Sequence, residues 1–279
     1  MQNNKTVIDF HIHLINYDHL RETAYQWFGR MFETQDEFER YKEQYSDPDS
    51  FCKLLQENGV DYAVILAEIS PLVTGLAPNE LVRDFCTGRE ELIPFCTLNP
   101  YVDTDLASTL DHLCSNEGFK GIKLYPTYNH FYPNDPKLYP LYAAAQNLNI
   151  PVLFHTGSSI FHGSRIKYGN PLFIDDIAVD FPDLKIVMAH GGRGVWYQEA
   201  LLMVRLHQNV YIDVSGLPPK KLLDYFPDLE RFSGKFIFGS DWPGVDIKRN
   251  IIDLCSLDLS QEAKERILGL NAKKLLGIE

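Results

Sequence analysis

Several things are missing from this sequence, and each absence narrows what the protein can be. No run of Lys or Arg stands out, and 26 basic against 38 acidic residues leave a formal net charge of −12. A nucleic acid or an anionic membrane calls for a concentrated basic surface, so neither is expected as a partner. Nowhere do about 18 apolar residues follow one another, which excludes a transmembrane helix. The first residues, MQNNKTVIDFHIH, run straight into a strand-like segment with no basic stretch and apolar core ahead of it, so no secretory signal is expected. The cysteines at 52, 86, 96, 114 and 255 are odd in number and never spaced CxxC. They read as reduced residues in or near a core, and the expected compartment is the cytoplasm. A GxGxxG phosphate loop is absent, as is any low-complexity linker that would divide the chain. A homodimer is compatible with all of this.

What is present is a rhythm. Short apolar runs rich in β-formers recur at VIDFHIH (7–13), YAVILA (62–67), LIPFCTLN (92–99), GIKLYP (121–126), PVLFHTG (151–157), KIVMAHGG (185–192), VYIDVSG (210–216) and KFIFGSDWP (235–243). Most intervals are near thirty residues, about one βα unit. Runs apolar on both faces suit a parallel sheet with helices outside and packed side chains inside. The intervening segments carry helical stripes, such as Phe51, Leu54, Leu55 and Asn58 ahead of Gly59, or Leu106, Leu110 and Leu113 ahead of Gly118. Further helices are expected over 136–149, 171–181, 195–207, 218–226, 247–255 and 261–276. Eight such runs with 45% hydrophobic and 23% charged residues predict one (β/α)₈ barrel over 1–279. Residues 14–50 are the exception, a long aromatic and charged stretch read as a helical insertion after the first strand. It is either a surface decoration or a cover over the active face.

The polar residues fall where a barrel does chemistry. His11 and His13, two apart on one strand, share a face. His155, His190, Asp241 and Lys123 stand near the ends of runs five, six, eight and four. All these positions map to one rim. An HxH pair arises by chance, a lone strand histidine is usually hydrogen-bonded in a core, and an Asp before Trp-Pro suits a turn. Their agreement at one rim favours a metal instead, because polar groups buried together are costly unless paired or metal-bound. Imidazoles with a carboxylate suit Zn²⁺, or Mn²⁺, with one position free.

DFHIH, GIKLYP, FHTG, MAHGG and FGSDWP, in this order, resemble the amidohydrolase superfamily, in particular its amidohydrolase-related branch of hydrolases, lactonases and aromatic-acid decarboxylases. The resemblance implies that His11, His13, His155 and Asp241 bind the metal. It implies that His190 binds a second metal or assists chemistry. Lys123 matches the position of a carboxylated bridging lysine in two-metal relatives; it can equally hold a substrate carboxylate unmodified, or simply snorkel from a strand end. One ion is expected rather than two.

The expected reaction is hydrolysis of an ester, lactone or amide of a small carboxylate-bearing substrate. A divalent ion brings the pKa of bound water to about 7. Asp241 then accepts the water proton, and His190 bonds the carbonyl or shuttles a proton. Decarboxylation of an unsaturated or aromatic acid uses the same ligands and is the alternative, while a catalytically silent scaffold would have lost ligands. Arg193 is read either as a carboxylate clamp or as a loop closer bonding backbone carbonyls. Tyr125 shares the parity of Lys123 and is expected to line the pocket. Asp9 shares the parity of His11 and His13 but lies deeper, as a support for the ligands or a structural carboxylate. His162 is read as a surface residue.

Overall fold

A computed structural model describes residues 6–278. Each of the eight runs contains a strand: β1 (Ile8–His13), β2 (Tyr62–Leu66), β3 (Leu92–Cys96), β4 (Gly121–Leu124), β5 (Pro151–Gly157), β6 (Lys185–Arg193), β7 (Val210–Asp213) and β8 (Phe236–Ile237). They pair in sequence order, every neighbour parallel. The seam between β8 and β1 closes through Phe10 N to Phe238 O (3.0 Å), Asp241 N to His11 O (3.0 Å) and His13 N to Trp242 O (2.9 Å). The result is a TIM barrel.

Alternation along the strands builds two apolar layers. Ile8, Phe10, Val64, Leu66, Phe95, Leu153, Val187, Ala189 and Ile237 fill the barrel, and Ala272 and Leu275 of the C-terminal helix pack with them. Ile65, Ile122, Leu124, Phe154, Met188 and Ile212 face the helices instead. Lys123, between Ile122 and Leu124, therefore points into the barrel, fully buried.

The insertion after β1 forms α1 (Glu22–Gly29) and α2 (Gln35–Ser46) and leads into α3 (Pro48–Glu57). Thr34 caps α2 by accepting from Glu37 N, and Asp47 caps α3 from Ser50 N (2.8 Å) with Pro48 in the first turn. Between β2 and β3 lies a hairpin, Glu68–Ser70 with Gly75–Ala77, that the sequence pattern did not announce. It is stitched to the insertion by a bridge between Leu20 and Gly75 and by Arg21 N donating to Thr74 O (2.8 Å).

Candidate metal centre

Within β1 the pairing slips by one residue: Asp9 stands opposite Ala63, yet Ile12 stands opposite Ile65. Such a bulge re-aims side chains. It separates Asp9 from the two histidines that follow. Asp9 accepts from Ser240 N (2.8 Å) and His11 N (3.2 Å), so it fixes the backbone under the site and touches no imidazole. Burial pushes its carboxyl up to about 7 against those two bonds.

His11 and His13 meet at the rim, Nε2 to Nε2, at 3.2 Å. Asp241 Oδ1 lies 3.5 Å from the first Nε2 and 3.4 Å from the second. Donor atoms around a tetrahedral ion with bonds of about 2.1 Å are about 3.4 Å apart, so this triangle has a metal's dimensions. His155 stands outside the triangle, its ring 4.7 Å from that of His190. Its Nε2 is buried without a hydrogen-bond partner. An orphaned buried nitrogen costs about 1–3 kcal/mol, which a bound ligand would relieve. The donor set fits a divalent metal.

In a regular β6 the alternation that sends Val187 and Ala189 inward would send His190 outward. Its left-handed backbone, φ 64°, breaks the alternation and turns the ring to β7. There Nδ1–H donates to Ser215 O (2.9 Å). Burial holds the pKa of His11, His155 and His190 well below normal, with Lys123 or Arg193 adding to it. All three are neutral, with lone pairs to give. Asp241 is held well below the ordinary carboxylate range: burial opposes this, but at the low pH where its carboxyl would titrate the neighbouring imidazoles carry charge and outweigh it.

Lys123 Nζ comes within 3.3 Å of His11 Nε2. Burial lowers its pKa to about 8, against the pull of Asp213, Asp241 and Glu68. Arg193 closes a loop by bonding a backbone carbonyl, one of the two roles considered for it. Nε and Nη2 donate to Ser158 O (3.2 and 3.1 Å), closing the loop after β5. Nη1 lies 3.5 Å from Asp241 Oδ2, and the residue lines the cavity.

That cavity has a polar floor of His13, Glu68, His155, His190, Arg193 and Asp241. An apolar wall completes the lining: Trp27 and Phe28 of α1, Leu20, Leu76 and Phe161, together with Tyr128. Trp27 meets Phe161 edge to face at 5.3 Å. Tyr125 lies behind this lining: its hydroxyl donates to Ala67 O (2.9 Å), and Tyr128, stacked on it at 5.7 Å, reaches the cavity in its place. His162 is exposed, as expected.

Two carboxylates escaped the sequence reading. Asp213, at the end of β7, lies 2.5 Å from His11 Nδ1. Burial pushes it up to about 7, with Lys123 and Ser215 pulling back. Glu68 Oε2 lies 3.6 Å from His13 Nδ1, and its other oxygen accepts from the Thr74 hydroxyl. The signal was there for the first: an acid inside the apolar run VYIDVSG, at a strand end.

Comparison with known proteins places the fold and the family. The chain is 23% identical over 292 residues to the gamma-resorcylate decarboxylase of Rhodococcus jostii, covering 81% of this chain and 86% of that one. An uncharacterised TIM-barrel protein of Bordetella bronchiseptica superposes with a TM-score of 0.79 at 23% identity, over 98% of each chain. A dihydroxybenzoic acid decarboxylase of Polaromonas sp. JS666, solved with bound manganese and an inhibitor, gives 0.70 at 15% identity over 98% of this chain and 97% of that one. The amidohydrolase family profile matches residues 8–278, nearly the full length over which the barrel and its rim are built, and the chain belongs to the amidohydrolase family.

Proposed function

We propose that this enzyme removes the carboxyl group of a small, planar, unsaturated or aromatic acid with the help of one divalent ion, Zn²⁺ or Mn²⁺. The observation that carries this reading is the cavity's mixed lining, in which an aromatic wall of Trp27, Phe28 and Phe161 shares one cavity with Arg193 and with His13 and Asp241 of the donor triangle. Sequence patterns put hydrolysis first; the wall, assembled from segments far apart in the chain, moves decarboxylation ahead. The resemblance to decarboxylases supports the same order.

His11, His13, Asp241 and His155 would hold the ion. Bound there, it supplies positive charge that anchors and polarises a substrate oxygen. The protein's own groups do the rest. Arg193 has its Nη1 and Nη2 hydrogens available beyond Ser158 and can bind a carboxylate. Edge and face contacts from Trp27, Phe28 and Phe161 orient a flat ring and exclude water. Asp241 Oδ2, 4.0 Å from His190 Nδ1, is placed to take a proton from water or from the substrate and pass it to the carbon whose carboxyl group leaves as CO₂.

The same Oδ2 can accept a proton from water, which keeps hydrolysis as the second reading. A panel of aromatic and unsaturated acids, lactones and amides separates the two. CO₂ release from an acid is the expected result. Turnover of a lactone or amide with no CO₂ from any acid would reverse the order.

A further inference from the structure

We propose that Asp213 is a positioning residue for the metal ligand His11, and that Ser215 ties His190 to the same carboxylate. The inference rests on the metal reading above and concerns residues outside the ligand set.

Asp213 is fully buried on the inner side of β7, where it pairs with Ala189 of the barrel filling. Its Oδ2 accepts the proton of His11 Nδ1 (2.5 Å) and the hydroxyl of Ser215 (2.9 Å). Its Oδ1 accepts from Ser215 N (2.9 Å). Ser215 Oγ also lies 2.9 Å from His11 Nδ1 and 3.2 Å from His190 Nδ1, while the Ser215 carbonyl takes the His190 proton. Both imidazoles are thereby fixed with the proton on Nδ1. His11 is left with its Nε2 lone pair aimed at His13 and Asp241, the orientation that a ligand requires. A carboxylate on the far nitrogen also makes the ring a stronger donor.

A glycine makes room for the cluster. A Cβ on Gly239 would stand 2.5 Å from Asp213 Oδ1, 2.7 Å from His11 Cβ and 3.1 Å from Ser215 Cβ. Three segments, from β1, β7 and the run after β8, thus converge with no space to spare. A carboxylate present only for packing would need neither the aimed Oδ2 nor the serine that spans two rings.

The test uses metal-free protein with ¹⁵N-labelled histidine, then cobalt titration against a competing chelator. In the parent protein, long-range ¹H–¹⁵N correlation should show His11 protonated on Nδ1 alone. Asp213→Asn should mix its tautomers and weaken Co²⁺ binding by about 10- to 100-fold. Ser215→Ala should weaken it less and leave the His190 tautomer intact. If Asp213→Asn keeps both the His11 signal and the affinity, Asp213 is a packing carboxylate and the inference falls, with the metal reading standing. A parent protein that takes up no Co²⁺ overturns both. Should Asp213→Asn not fold, Ser215→Ala decides: an unchanged His11 signal and unchanged affinity overturn the inference.

Discussion

Gly216 offers a way to measure how tightly the centre is built. Its φ is +63°, and a Cβ there would run into Asp241 Oδ2 and stand 2.6 Å from Arg193 Nη1. Gly59 has a similar φ of +73° with nothing within 4 Å of its missing Cβ. Alanine at 59 meets only the left-handed backbone penalty, about 1–2 kcal/mol. Alanine at 216 meets the same penalty and also overpacks the site, which adds about 1–3 kcal/mol. At about 2.1 cal/mol/K per residue the 279-residue chain has a melting entropy of about 0.6 kcal/mol/K, so each kcal/mol shifts Tm by about 2 °C. Gly59→Ala should therefore lower Tm by about 2–4 °C and leave turnover intact. Gly216→Ala should lower it by about 4–10 °C and reduce kcat by about 10²-fold, because Asp241 and Arg193 are displaced from each other. Calorimetry and initial rates on the two purified variants suffice. If Gly216→Ala matched Gly59→Ala in both, the close approach of carboxylate and guanidinium would be wrong.

Other substitutions probe the remaining roles. The double variant His11→Ala/His13→Ala should lose most of its bound metal by elemental analysis; full stoichiometry at parental strength would remove the proposed site. His190→Asn should keep an ion bound but lower kcat by about 10²-fold, and an unchanged kcat would take His190 out of the chemistry. Lys123→Ala should retain about one ion and mainly raise KM for an anionic substrate; two tightly held ions per chain in the parent protein, or a carbamate on Lys123, would refute the one-ion reading. Trp27→Ala should lower kcat/KM for a planar acid by about 10-fold or more without changing metal content, and Trp27→Phe should restore part of the loss.

The barrel was readable because its strands are buried on both faces, so each appears as a continuous apolar run with a chemically distinctive residue at its end. His11, His13 and Asp241 could be placed together on that ground. The details that failed to show depend on backbone geometry rather than composition. Alternation in β6 points His190 away from the site, and only its positive φ corrects this. The slip in β1 detaches Asp9 from a face it nominally shares. Tyr125 obeys parity and points inward, but its hydroxyl is engaged by Ala67 O, and the short helix that follows, Pro126–Asn129, brings Tyr128 forward. Asp213 and His11 are 202 residues apart, and a through-space pair of that kind leaves no periodic trace.

The way the site divides between rigid and variable parts has a consequence for specificity. Every candidate ligand stands on a barrel strand or directly after one, fixed by ladder hydrogen bonds and by neighbours such as Asp213 and Ser240. The apolar wall comes from α1, from the hairpin after β2 and from Phe161 in the loop after β5. Those segments hold one another through few backbone bonds and through ring contacts such as Trp27 with Phe161. Barrel enzymes place chemistry and recognition in this way because loop changes leave the strand ends undisturbed. Under the proposed decarboxylation the wall's aromatic character would select a flat substrate, and Arg193 and Asp241 would determine which end of it is turned to the reacting groups. Wall and floor meet where Gly244, three residues after Asp241, lets the Trp27 ring settle 3.3 Å from where a Cβ would be. A side chain at that glycine would press on the Trp27 ring and, equally closely, on the Asp241 carbonyl at 3.3 Å, so cover and centre are coupled at this one position.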